Sequence, residues 1–228
     1  MPKRRRVIKK VVRKGKGGKP AKPGRAKRKP KPDPNVRLMR AHKAHFTNGL
    51  RNMCEYVQKH GPPIKKIIEI GSYAGESTLI FADCIPDAEI VCVDPWETAQ
   101  NVFNQTLKNT GKAAHAKFLE RIADYPQISF IKKMSDDAAA DFEDDSVDLV
   151  YIDGNHAYNF VIRDLRNYMP KLRMGCFMTG HDWYADPKAK WHCVTQACNA
   201  ILGGVDKVFQ DHSWIWLKTE EKLKKANL

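Results

Sequence analysis

The sequence lacks the apolar runs and the paired cysteines that mark several classes of protein. No apolar stretch approaches the roughly 18 residues that a membrane-spanning helix needs, and the N-terminus has no apolar signal-peptide core. The six cysteines include no C-x-x-C pair, which favours reduced, packed thiols over a disulfide framework. We therefore expect a cytoplasmic protein, or a nuclear one in a eukaryotic host, that does not contact membranes.

Acidic residues are absent from the first 32 residues, which contain 16 of the 40 Lys and Arg residues. The rest of the chain is nearly neutral, so the net charge of +14 belongs to this segment. With so little to bury, the segment cannot offset the entropy cost of ordering. We predict a disordered basic tail at 1–35 and one folded domain at 36–228.

Two functions are open for the basic tail. It could neutralise the phosphates of a nucleic acid or another polyanion without reading sequence, or it could act only as a solubilising polycation. Its run Lys3-Arg-Arg-Arg6 also resembles a nuclear address.

The chain is organised around residues 67–78, where a short apolar strand leads through a turn with two glycines into a helix. In open α/β sheets, ligands bind at this carboxyl edge of the strands. Tyr73 replaces the second glycine of the dinucleotide motif G-x-G-x-x-G, which disfavours a pyrophosphate and hence an NAD-dependent oxidoreductase. S-adenosylmethionine (SAM) has no phosphate but carries an ammonium and a sulfonium, which suit an acid at the strand end. The residues alone make Glu69, Gly71, Ser72, Tyr73 and Gly75 a candidate SAM site, and a glycine turn that binds no cofactor is the alternative.

Further cofactor contacts are predicted at the ends of the next two strands. Asp94 follows the apolar strand 88–93 and is placed to accept hydrogen bonds from both ribose hydroxyls of an adenosine-containing ligand. Trp96 either packs on the adenine face or belongs to the core. Ser135 or Asp136, after the strand 128–134, could contact the adenine edge, although Asp136 is equally suited to cap a helix at 138–142.

Two later strands also end in polar side chains. The strand 146–153 ends at Asp153, with His156 close behind, and the strand 176–183 ends with His181 and Asp182. Because these strands are adjacent, we expect the four side chains to converge beside the glycine turn. A neutral imidazole can accept the proton of a hydroxyl nucleophile, and carboxylates can hold a cation that lowers the hydroxyl's pKa. Each residue alone could instead be a turn, cap or structural group.

The order of predicted elements indicates the fold class. A helix at 35–60 precedes five strand–helix alternations, and two alternating segments at 205–210 and 213–218 follow them. This order predicts an α/β, Rossmann-like, doubly wound and mostly parallel sheet with a C-terminal antiparallel hairpin. Residues 97–126 are predicted to form a helix–loop–helix insertion beside the site, as a candidate lid.

With these motifs in order, residues 60–218 resemble the class I SAM-dependent methyltransferases. The resemblance is closest to the branch of the macrocin-type O-methyltransferases and cephalosporin-hydroxylase-like proteins. It rests on Glu69–Thr78, Val93–Trp96, Ile152–Tyr158 with Asp164-Leu165, and Gly180–Trp183. The resemblance implies a seven-stranded sheet whose last strand is antiparallel, with SAM over the glycine turn and its ribose on Asp94.

For the acceptor side, the same resemblance implies a divalent cation on Asp153 and Asp182 and a general base at His156. His181 stands where metal-dependent relatives often have a carboxylate. A site of Asp153, His181 and Asp182 therefore admits Mn²⁺ or another transition ion beside Mg²⁺, and the metal could also be absent.

We therefore expect a SAM-dependent methyltransferase that acts on a small-molecule or glycan hydroxyl. The alternative is a nucleic-acid-associated protein with a catalytically silent methyltransferase-like domain. The Asn/Asp-Pro-Pro-Tyr/Phe signature of the amino-methylating nucleic-acid enzymes is missing, which disfavours N-methylation of bases.

Overall fold

A computed structural model describes residues 34–96, 110–226 and 228, and for residues 34–45 it gives the helical backbone alone. Residues 1–33 of the predicted basic tail and residues 97–109 of the predicted insertion lie outside the described residues. Among the described helices, none combines the length and apolar character that crossing a bilayer requires.

The described strands form one sheet. They are β1 (Lys66–Ile70), β2 (Glu89–Val93), β3 (Ile128–Ile131), β4 (Val147–Ile152), β5 (Leu172–Gly180), β6 (Lys207–Val208) and β7 (Trp214–Leu217). Their spatial order is β3-β2-β1-β4-β5-β7-β6. Strands β1 to β5 pair in parallel, and β7 pairs antiparallel with both β5 and β6. The predicted fold class and its C-terminal antiparallel hairpin are confirmed.

Helices flank the sheet on both faces. They are α1 (Pro34–His60), α2 (Glu76–Cys84), α3 (Thr110–Ile122), α4 (Ser135–Ala138), α5 (Tyr158–Tyr168), α6 (His192–Leu202) and α7 (Glu220–Leu223). Helix α1 buries Leu50, Met53, Cys54 and Val57 completely, a spacing that forms one apolar face. It ends at His60 as predicted, because the Gly-Pro-Pro that follows cannot continue a helix.

Several predicted boundaries are wrong. Strand β3 ends at Ile131 and not at residue 134. The helix expected at 138–142 begins at Ser135, with Met134 at its N-cap position. Strand β5 begins at Leu172 and runs through Gly175, since a register shift between β4 and β5 accommodates the extra residues. Strand β6 has only two residues, because the chain turns at Phe209 to meet Ser213.

Two apolar clusters lie on opposite faces of the sheet. One packs α5 and α6, through Leu165 and Cys198, against the central strands. The other packs α1, α2 and α3, through Leu50, Phe81 and Phe118, against the opposite face. The chain winds outward in one direction from β1 and in the other from β4, so the carboxyl ends of these two strands flank the point at which a doubly wound sheet binds ligands.

Candidate active site

The predicted site residues form a row along the carboxyl edge of the sheet. Each continues the ladder one residue past its strand, by donating its backbone N–H at 2.8 to 3.3 Å to the last residue of the neighbouring strand. The row consists of Asp94, Gly71, Asp153 and His181. The expectation that these strand ends converge is therefore confirmed.

The glycine turn packs directly on the end of β4. Gly71 has φ 88°, and a Cβ on it would overlap the carbonyl oxygen of Asp153 and the Cα of Gly154. Only glycine adopts this conformation and fits this space without strain. The predicted cofactor turn and the predicted acceptor-side acid are thus in backbone contact.

The Asp94 carboxylate accepts hydrogen bonds from two backbone N–H groups at or near the glycine turn. Its Oδ2 accepts the N–H of Tyr73 at 2.9 Å, and its Oδ1 accepts the N–H of Trp96 at 2.7 Å. Burial raises the pKa of the Asp94 carboxyl, and the two backbone donors offset this only in part. Tyr73 is held in the left-handed region at φ 44° with its side chain 57% exposed.

Two side chains donate hydrogen bonds to carbonyl groups of the turn. The indole Nε1 of Trp96 donates to the carbonyl of Tyr73 at 2.6 Å, and Nη1 of Arg121 on α3 donates to the carbonyl of Ala74 at 2.6 Å. Trp96 is 3% exposed and stacks on His115 with ring centroids 4.6 Å apart. Of the two roles left open for Trp96, its burial supports the core residue, and contact with an adenine stays a prediction.

Glu69 is placed differently from the expectation. Its side chain is fully buried, its two oxygens accept the hydroxyls of Ser77 and Thr78 at the start of α2, and Cys92 Sγ lies 3.3 Å from Oε2. Burial raises the pKa of Glu69, against the opposing effect of the hydroxyl donors. The carboxylate therefore ties β1 to α2, and its predicted contact with a cationic ligand group stays a prediction.

Ser135 and Asp136 lie past the end of β3, with partners on α5. Ser135 Oγ donates to Asp164 Oδ1 at 2.5 Å, and Asp136 accepts from Asn167 at 3.0 Å and pairs with Arg163 at 2.9 Å. The N-cap position of α4 is Met134, and Asp136 lies inside the first turn, so the cap role considered for Asp136 is wrong. An adenine contact by either residue stays a prediction.

The four acceptor-side residues meet in one cluster. Candidate ligand atoms of Asp153, His181 and Asp182 all lie within 4.8 Å of one another. His156 Nε2 lies 2.6 Å from Asp182 Oδ2 and 3.3 Å from Asp153 Oδ1. Asp182 has φ 62°, a strained conformation for a non-glycine residue of the kind that clusters at functional sites.

The charges of this cluster strongly perturb its protonation. Burial alone would lower the pKa of His156, but its contacts with Asp153 and Asp182 outweigh that and raise it to about 9. The same balance raises the pKa of His181, with Asp182 as the main partner. Burial would raise the pKa of Asp182, yet the two imidazoles hold it well below its usual range.

One ring nitrogen of the cluster is buried without a hydrogen bond. Nε2 of His181 has no hydrogen-bond partner among the described residues, and the oxygen of Asp211 is 4.0 Å away from it. A buried polar atom in that state costs free energy, and a bound cation or hydroxyl would remove the cost. The donor set of two carboxylates and an imidazole therefore fits the divalent cation that the resemblance implies.

Sequence reasoning missed three residues around the cluster. Trp191 stacks on His156 with centroids 4.6 Å apart. Asp211, 3% exposed, approaches His181 Nε2 at 4.0 Å, and Phe46 of α1 meets the His181 ring edge-on at 5.2 Å. All three reach the site through long-range packing, for which the local sequence carries no signal.

Comparisons with known proteins agree with this geometry. Residues 68–183 match the family model described as a methyltransferase domain. The chain is 27% identical over 123 residues to the "Uncharacterized protein y4gI" of Sinorhizobium fredii, and the match covers 52% of this chain and 13% of that relative.

Two solved structures have similar folds. The O-methyltransferase NovP superposes with a TM-score of 0.58 at 15% identity, covering 77% of this chain and 80% of NovP. A Corynebacterium glutamicum protein superposes with a TM-score of 0.54 at 17% identity, covering 82% of this chain and 91% of that one. The family match spans the glycine turn, Asp94 and the Asp153–Asp182 cluster, and the chain therefore belongs to the methyltransferase-domain family, with the class I fold of the SAM-dependent methyltransferases.

Proposed function

We propose that this chain is a SAM-dependent methyltransferase that acts on a hydroxyl group. The observation that carries the proposal is the backbone contact between Gly71 and Asp153, because it joins a cofactor-type turn to a cluster of proton-accepting and cation-binding groups. The O-methyltransferase NovP shares the fold and favours the oxygen acceptor.

On the donor side, Asp94 is the group best suited to the ribose. Each of its oxygens accepts one backbone N–H, which leaves further lone pairs for the two ribose hydroxyls. The Ser72 hydroxyl is buried without a hydrogen-bond partner of normal geometry among the described residues, and it is available to the amino-acid end of SAM. Glu69 supports this contact indirectly, by fixing where the turn enters α2.

On the acceptor side, the residues divide into a proton acceptor and its supports. SAM supplies an electrophilic methyl group, and a divalent cation on Asp153, His181 and Asp182 would lower the pKa of a hydroxyl and orient it. His156 takes the hydroxyl proton. Trp191 fixes the plane of that imidazole by stacking.

The cation is part of this proposal because two uncompensated carboxylates leave His156 protonated at neutral pH. A protonated imidazole cannot act as a base. Positive charge placed on the carboxylates lowers the imidazole pKa towards the range in which a base works. The nitrogen ligand from His181 makes Mn²⁺ as suitable as Mg²⁺.

Transfer of a tritiated methyl group from SAM tests the proposal. The acceptor panel contains small hydroxylated metabolites, glycans, RNA and DNA, each with Mg²⁺, with Mn²⁺ and with EDTA. We expect counts in a hydroxylated acceptor, lost on EDTA treatment and reduced by at least about 100-fold in His156→Gln, the usual size of a general-base contribution. Folded protein that binds SAM but transfers to no acceptor under any condition would instead favour the catalytically silent domain.

The partner of the basic tail is a separate proposal, since residues 1–33 lie outside the described residues. Their charge favours salt-dependent contact with a nucleic acid or another polyanion. Removal of residues 1–33 should abolish binding to RNA and DNA while methyl transfer to a small acceptor persists. Loss of both activities would assign the tail to the acceptor site itself.

A further inference from the structure

Helices α1 and α2 bring two of the six cysteines together at a distance from the active site. Cys54 is fully buried on the inner face of α1, and Cys84 is the last residue of α2 and is partly exposed. Nη1 of Arg51, which lies one turn before Cys54 on α1, is 3.4 Å from Cys84 Sγ, and both cysteines pack in the apolar cluster between α1 and α2. The pair therefore consists of one partly exposed thiol and one buried thiol at the contact between the two helices.

An arginine completes this cluster. Arg51 donates to Cys84 Sγ through Nη1, while its Nη2 pairs with Asp83 Oδ2 at 3.1 Å. A positive group and a hydrogen-bond donor beside one sulfur are the features that stabilise a thiolate.

The protonation of the two sulfurs follows from these contacts. The contact with Cys54 lowers the pKa of Cys84 most, burial opposes it, Arg51 adds to the lowering, and the result is about 7. The same contact raises the pKa of Cys54 well above its usual range. At neutral pH, Cys84 is thus substantially a thiolate while Cys54 remains a thiol.

The other four cysteines have no such arrangement. Cys92, Cys176 and Cys198 are buried, and burial raises the pKa of each. Cys193 is partly exposed, as Cys84 is, but its thiol donates to the His156 carbonyl at 2.8 Å. Cys193 therefore serves as the comparison thiol within the same molecule.

We propose that Cys84 and Cys54 form an oxidisable dithiol, in which Cys84 reacts with a hydroperoxide and Cys54 resolves the product into a disulfide. The Cys84 thiolate attacks one peroxide oxygen, so an S–O bond forms and the O–O bond breaks. Cys84 is oxidised to a sulfenic acid, and with hydrogen peroxide the leaving hydroxide takes up the proton that Cys84 had released and becomes water. The Cys54 sulfur then attacks Cys84, the S–S bond forms, the S–O bond breaks, and a second water leaves with the Cys54 proton.

The disulfide would join α1 covalently to the end of α2. Helix α1 also carries Phe46, whose ring lies against His181, so the bond would restrain a helix that lines the active site. The oxidation chemistry does not depend on methyl transfer and is tested without it.

The first test measures alkylation of the full chain by iodoacetamide between pH 6 and 9, with each cysteine quantified by peptide mass spectrometry. We expect Cys84 to react first, with a half-maximal rate near pH 7, and about tenfold faster than Cys193 at that pH. Arg51→Ala should slow Cys84, and Asp83→Asn should accelerate it, because the Asp83 charge opposes the thiolate. Alkylation of Cys84 no faster than that of Cys193 would overturn the proposal.

The second test treats the full chain with hydrogen peroxide, blocks free thiols and maps peptides without reduction. We expect a peptide linking Cys54 to Cys84 that disappears on reduction. In Cys54→Ala, oxidation should stop at a dimedone-reactive sulfenic acid on Cys84. Wild-type protein that gains oxygen at Cys84 without the link to Cys54, or that forms a different link, would refute the pairing.

Discussion

Gly71 lies so close to the end of β4 that a Cβ on it would overlap the carbonyl oxygen of Asp153. The turn proposed to hold the methyl donor and the acid proposed to hold the acceptor's cation therefore cannot move independently. Any side chain at position 71 must displace one of them, so this contact couples donor binding to the geometry of the acceptor site.

Gly71→Ala is therefore expected to impair both stability and donor binding. The backbone penalty at φ 88° is about 1–2 kcal/mol, and the overlap adds to it by moving the turn. The matched control is Gly175→Ala, because Gly175 has φ 78° but no neighbouring atom within 4 Å of where its Cβ would lie. Denaturant unfolding and SAM titration should show a backbone-sized stability loss alone in the control, and a larger loss with weakened SAM binding in Gly71→Ala. Equal behaviour of the two variants would contradict the coupling.

Trp96→Phe tests whether this ring supports the turn or contacts the adenine. The substitution keeps most of the packing but removes the hydrogen bond to the Tyr73 carbonyl, which contributes about 1 kcal/mol. We expect that loss in the free energy of unfolding, with the affinity for SAM changed by less than about fivefold. A large loss of affinity at unchanged stability would restore the adenine contact considered from the sequence.

Asp164 should give the protein a measurable pH dependence of stability. It is 2% exposed, and burial raises its pKa to about 7 against the opposing hydrogen bond from Ser135. The folded state therefore favours the neutral carboxyl of Asp164. The stability that this carboxyl contributes is complete below about pH 4 and is lost as the pH rises through 7. Relative to Asp164→Asn, the wild type should lose on the order of 4 kcal/mol of unfolding free energy between pH 4 and 8. A difference that stays constant with pH would contradict the burial effect.

His156 should respond to a divalent cation through its pKa. In metal-free protein the imidazole pKa is raised to about 9 by the two carboxylates, against the effect of burial. Histidine ring NMR should show that value, and saturating Mg²⁺ should lower it by about one unit or more. His60, which packs on Tyr56 with ring centroids 4.2 Å apart, is the control ring for signal changes unrelated to the site. An unchanged His156 titration would argue against a cation on Asp153 and Asp182.

The sequence was sufficient to predict the sheet and the meeting of Asp94, Asp153 and His181. Buried parallel strands have apolar runs, and polar residues that end neighbouring strands must share one edge. Side-chain direction was harder to predict. Glu69 lies on the same strand face as Ile67, which packs against α1 and α2, and a two-residue alternation through β1 would have placed its carboxylate there.

Other differences depended on contacts between distant residues. Trp96 is buried because α3 brings His115 and Phe118 over it, and α3 is separated from it by residues 97–109. Asp211 belongs to the turn that joins β6 to β7, and only the folding of the hairpin against β5 brings it to His181. Patterns in the local sequence do not predict contacts between residues that are far apart in the chain.

Calorimetric titration with SAM and S-adenosylhomocysteine decides whether the crevice beside Gly71 and Asp94 holds the methyl donor. We expect the full-length protein to bind both ligands at a single site. Asp94→Asn should weaken both by at least about tenfold, because charge-assisted hydrogen bonds to the ribose are lost. Asp141→Asn, which removes an acid paired with Lys133, should bind as the wild type does. Folded protein that takes up neither ligand, or an Asp94→Asn variant with undiminished affinity, would contradict the assignment of this crevice to SAM.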